Sequence, residues 1–73
     1  MKYKVIYVKS THPSFSWNNG LFAVLGEEDG MLSLVKIGED GNPRRYEDGT
    51  LDMFGTSIHN DGISPTALEI VIN

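Results

Sequence analysis

The chain has 73 residues, ten acidic against six basic, a formal charge of -4 and no cysteine. That length holds one core, so residues 1–73 read as a single small domain, and the missing thiols exclude a disulfide framework and a thiolate metal cluster. An acidic balance opposes general affinity for phosphate backbones, which removes nucleic acid as a first choice of partner.

From Lys2 to Val8 the residues alternate, with Tyr3, Val5 and Tyr7 on one face and Lys2, Lys4, Ile6 and Val8 on the other, predicting an opening strand. This start lacks the apolar run of a signal peptide, and no stretch approaches the ~18 residues of a membrane span, so a cytoplasmic location is expected. Residues 9–20 lose the alternation. Pro13, the serines and Asn19-Gly20 mark a long loop or irregular hairpin that contains Phe15 and Trp17.

Residues 21–25 and 31–37 read as two strands joined by an Asp29-Gly30 turn, the strongest hairpin signal in the chain. A turn cluster over 38–43 leads to a short segment, Arg44-Arg45-Tyr46, and Glu47-Asp48-Gly49 breaks the chain again. Residues 51–54 and 56–59 form either one interrupted strand or two very short ones, with Gly55 a bulge or bend. Ser64 at an N-cap and Pro65 at a first helical position predict a single 3₁₀ turn, after which 68–72 closes the chain as a strand.

Five or six short strands with frequent turns predict an all-β fold, and closure into a small barrel or sandwich would protect both the sheet edges and the apolar face. The order of an opening strand, a long loop ending near Trp17 and Gly20, a central meander and a one-turn helix feeding Leu68-Glu69-Ile70-Val71-Ile72 resembles an SH3-like small β-barrel. The resemblance implies a five- to six-stranded antiparallel barrel with one short 3₁₀ turn before the last strand. The acidic-aromatic loop signature and paired tryptophans of peptide-binding SH3 domains are missing, so recognition of PxxP ligands is not implied. Short proteins of this shape look like those encoded by bacteriophages and mobile elements.

No catalytic or metal motif stands out. His12, His59 and Asp61 lack the spacing of a metal or acid-base site and read as solvated loop residues. Asp29-Gly30, Asp40-Gly41, Asp48-Gly49 and Asp61-Gly62 lack the spaced ligands of a calcium loop and read as turn chemistry. No cofactor and no metal are therefore expected.

Two features point to binding. In a meander, alternate turns share a sheet end, which would gather Glu27, Glu28, Asp29, Glu47 and Asp48 at one pole; Glu39 and Asp40 would lie opposite, balanced by Arg44 and Arg45. Phe15 and Trp17 on a polar loop read either as interface anchors or as the lid of the core. Tyr46 and Phe54 read as core or cross-strand packing. Lys2, Lys4 and Lys9 beside Tyr3 and Tyr7 sketch a single-strand nucleic-acid surface, but the lysines of the strand face away from the tyrosines and read as edge protection.

The expectation is a non-enzymatic protein-binding module that docks to a macromolecular partner through Phe15, Trp17, Glu27, Glu28, Asp29, Glu47 and Asp48. One alternative is an acidic phage-type inhibitor that mimics nucleic acid to block a host nucleic-acid enzyme. A second is a structural or accessory subunit that self-associates through 2–8 or 68–72.

Overall fold

The computed structural model describes residues 1–13 and 15–73, Trp17 through its backbone alone. Five antiparallel strands form one sheet: β1 (Lys2–Val8), β2 (Gly20–Glu28), β3 (Met31–Lys36), β4 (Met53–Ser57) and β5 (Ile63–Val71). Their order is β4-β3-β2-β1-β5, and no α-helix occurs among the described residues.

The β2–β3 hairpin forms as its sequence dictates. Asp29 and Gly30 take φ values of 53° and 75°, the double left-handed conformation that a two-residue type I′ turn needs, and Glu28 pairs with Met31 across it. The register then shifts between Val24 and Gly26, so Leu25 is an extra residue that bends β2 and curls the sheet. β4 pairs with β3 without interruption from Met53 to Ser57, so the segment around Gly55 is one strand and Gly55 is no bulge.

The expected barrel is not closed. β4 and β5 are the two ends of the sheet, and alternation of direction along it makes them parallel to each other. Residues 58–62 join them, and a parallel ladder needs a crossover of a dozen or more residues, so this connection cannot bring them side by side. A sixth strand is also absent among the described residues. Arg44-Arg45-Tyr46 makes a single bridge, Arg45 to Leu51, within the long β3–β4 connection, where Pro43 also bridges to Ile37.

The expected 3₁₀ turn before the last strand is likewise corrected. Ser64 and Pro65 lie in β5, opposite Tyr7 and Ile6, because an edge strand tolerates a residue without an N–H. A 3₁₀ turn occurs instead at Ser16–Asn18. Opposite β1, β5 carries a wide irregularity between Lys4 and Ile6, where the Thr66 hydroxyl donates to the Val5 carbonyl. β1 lies inside the sheet order, paired with β5 over Lys2–Val8 and with β2 over Val5–Val8, so 5–8 offers no surface for strand-to-strand association, and Lys2 and Lys4 are paired on the β5 side.

Register places Ile6 beside Phe22 and aligns Val24, Leu34 and Phe54, and these side chains with Val8 form the core face. Phe15 from the β1–β2 loop covers them. It is 6% exposed, with its ring 5.4 Å from Phe22 and 6.4 Å from Phe54, while Phe22 and Phe54 meet edge-on at 6.0 Å. On the other face Val5, Ala23 and Val35 form a cross-strand row that is also buried. Arg45 donates to the Asn73 carbonyl at 3.1 Å, drawing the β3–β4 connection back toward the end of β5.

Truncating the covering ring should therefore act as a core mutation. Phe15→Ala is expected to cost about 3 kcal/mol, a large part of the roughly 4–11 kcal/mol available to a chain of this size. Urea unfolding followed by circular dichroism measures it, and a loss under about 1 kcal/mol would remove the ring from the core.

Candidate functional site

The unclosed side of the sheet becomes a cleft between two loops, the β1–β2 loop that starts at Lys9 and the β4–β5 loop over 58–62. They touch through backbone: the Lys9 N–H donates to the Gly62 carbonyl at 2.9 Å. The approach requires glycine, since a Cβ at Gly62 would collide with the Lys9 carbonyl and stand 2.8 Å from the Ser10 Cα. An open cavity of about 690 Å³ lies beside this crossing, its walls including His12, Phe15, Met31, Ser57, His59 and Asp61.

Both walls are held by the same local device. The His12 N–H donates to the Ser10 hydroxyl and the His59 N–H to the Ser57 hydroxyl, each at 3.1 Å, so Ser-x-His turns face the cavity from the two loops. Asn19 clamps Ser10, accepting from its N–H at 3.0 Å and donating to its carbonyl at 3.4 Å. The Asn60 amide donates to the Thr56 hydroxyl at 3.0 Å and accepts from the Gly62 N–H at 2.9 Å. Below the loop, the Lys36 ammonium donates to Asn18 Oδ1 and the Asn19 carbonyl and sits 6.0 Å from the centre of the Phe22 ring.

His12, His59 and Asp61, which have no motif spacing, thus converge on one cavity. Among the described residues, however, no three histidine or acidic groups are placed to hold a metal ion. Phe15 takes the lid role rather than that of an exposed anchor, and the Trp17 side chain lies outside the described residues. Met31, Ser57, Thr56 and Asn60 join the cavity unannounced by the sequence reading. The repeated Ser-x-His at 10–12 and 57–59 is the signal that would have paired the walls.

The acidic residues divide. Glu27, Glu28 and Asp29 are exposed on the hairpin whose Gly30 carbonyl accepts from the Ile58 N–H at 3.0 Å, so that acidic turn abuts the cleft. Glu47 and Asp48 belong to the same β3–β4 connection as Glu39 and Asp40, not to a separate turn of the meander, because Arg44-Arg45-Tyr46 is no strand of the sheet. Asp48 accepts from the Thr50 hydroxyl at 2.6 Å and the Thr50 N–H at 3.0 Å, which lowers its pKa. Asp40 is lowered likewise by hydrogen bonds from the Asn42 backbone and side chain. These two carboxylates shape their own loops. Arg45, expected to balance the acids, donates to the Gly49 and Asn73 carbonyls. Tyr46 is 57% exposed rather than core, and its hydrogen bond with Asp52 raises its pKa.

Comparison of the chain with protein-family models, with curated proteins and with solved structures found no match.

Two measurements follow from this geometry. Gly62→Ala should destabilise the chain by about 1–3 kcal/mol and loosen the crossing, read as faster hydrogen exchange at the Lys9 amide; unchanged exchange would contradict the close approach. A carboxylate with a lowered folded pKa adds stability above its unfolded value near 3.8 and loses it as pH falls through the folded value. The Thr50 amide should therefore stay protected at pH 5 and 7 and lose protection below pH 3.8, whereas Asp48→Ala should leave it unprotected throughout. Protection that persists in the variant would show that the carboxylate does not hold the turn.

Proposed function

We propose that the chain is a non-enzymatic protein-binding module that docks to a macromolecular partner at the cleft between its two loops. One observation carries the reading: an open cavity of about 690 Å³ whose serine and asparagine side chains are engaged in holding backbone, which suits a shaped receiving surface. The exposed Met31, at 47%, and Ile58, at 39%, supply apolar contact area around it. The exposed acids Glu27, Glu28 and Asp29 border it and would favour a basic partner. The strand order and the bend in β2 support reading the fold as an SH3-like barrel left open at its β4–β5 side.

The test is capture of a partner from an extract of the source cell by the immobilised chain. Met31→Glu with His59→Asp alters exposed cleft residues, so the variant should keep its melting transition and lose capture at least ten-fold. Capture through the cleft should largely survive 1 M salt. Capture that vanishes with salt and is displaced by DNA would replace this reading with the acidic mimic, because exposed charge pairs are screened within a few ångströms under those conditions.

A further inference from the structure

The sheet has two free edges, and they differ in chemistry. β5 is guarded: Pro65 lacks a donor, Glu69 places a charge, and the irregularity opposite Lys4 and Ile6 disturbs its line. β4, Met-Phe-Gly-Thr-Ser, has no charge, no proline and no break in its register. The directions of its backbone groups follow from its neighbours. The Ile58 N–H reaches the Gly30 carbonyl and the Asp52 N–H the Arg44 carbonyl, both on the β3 side. By alternation Phe54 and Thr56 also face β3, so the backbone groups of Met53 and Gly55 and the Ser57 N–H turn outward, while the Ser57 carbonyl accepts from the Asn60 N–H at 3.1 Å.

That outward edge runs into the cleft, whose wall includes Gly55, Thr56 and Ser57. Gly55 is exposed and offers no side chain to obstruct an approaching backbone. The cleft end of the edge is acidic, with Asp61 in the cavity wall and Glu28 opposite Met31 on the neighbouring hairpin.

We infer that β4 accepts an extended segment of a partner protein as an added strand, apolar at the positions facing the cleft and basic where it passes Asp61. The inference rests on the binding-module reading and names the partner's chemistry. Main-chain hydrogen bonds to Met53, Gly55 and the Ser57 N–H supply sequence-tolerant affinity, and the cavity and the acids select side chains. The strand it adds fills the gap that the parallel relation of β4 and β5 leaves open.

The probe is a seven-residue peptide of alternating valine and threonine with two lysines at one end, added to the isotope-labelled full chain and followed by amide NMR. Protection of the Gly55 and Ser57 amides from hydrogen exchange should rise at least ten-fold. A twin peptide with two glutamates should bind at least five-fold more weakly, and Asp61→Lys should narrow that preference. A twin methylated at alternate backbone nitrogens should not bind. Protection appearing on β5 instead, shifts at β4 without protection, equal binding of the methylated twin, or no binding of the lysine peptide would each overturn strand addition. If capture in the preceding experiment still depends on Met31 and His59, the module reading survives that failure; if capture also fails, both fall.

Discussion

Everything in this fold depends on covering one face of a five-stranded sheet with very little chain. No α-helix occurs among the described residues to pack on it, and the core face carries Phe22 and Leu34 at full burial. Phe15 meets the need by folding back from the β1–β2 loop onto Phe22 and Phe54. The turn that aims it is short and local, since the Phe15 and Ser16 N–H groups both donate to the His12 carbonyl at 2.9 Å. A loop that must deliver a lid is no longer free to be a passive connector, and its path brings Ser10 and His12 to the cavity that the far end of β4 also lines.

The second constraint is directional. Four antiparallel steps along the sheet leave β4 and β5 parallel, and the residues between them are too few for a parallel ladder. The Lys9–Gly62 hydrogen bond extends the β1–β5 ladder, and the gap beside it is open as the cleft. Core cover and cleft are therefore two consequences of the same unclosed sheet. The edge that faces the cleft is the one without charge, proline or bulge, which links the topology to the proposed mode of recognition.

Much of the strand content was readable from period-two patterning. The opening strand and the Asp29-Gly30 hairpin appear where alternation and turn chemistry place them, and the final strand, expected over 68–72, begins earlier, at Ile63. The misreadings have specific causes. Ser64-Pro65 has the local chemistry of a helix start, yet the pairing partner Ile6 makes it strand, since an edge position asks nothing of the missing N–H. Arg44-Arg45-Tyr46 has strand-like residues, but Met53 holds the place beside Val35. Asp48, a candidate site residue, and Asp40, placed at the opposite pole, are both drawn into their own turns by neighbours two residues away, a local outcome that Asp-x-Thr and Asp-x-Asn spacing already signals.

What the sequence determined by itself was therefore local: the all-β character, the alternation of faces, the tight hairpin and the absence of thiol chemistry, each set by side chains within a few positions of one another. What only the tertiary structure decided was which distant segments meet. Whether Phe15 is lid or anchor, that His12, His59 and Asp61 share one cavity, that Gly62 must lack a side chain, and that β4 rather than β1 is an edge all depend on strand order and curvature. Those are properties of long-range packing, in which one extra residue in β2 and the direction of one strand redirect every loop, and no short window of residues encodes them.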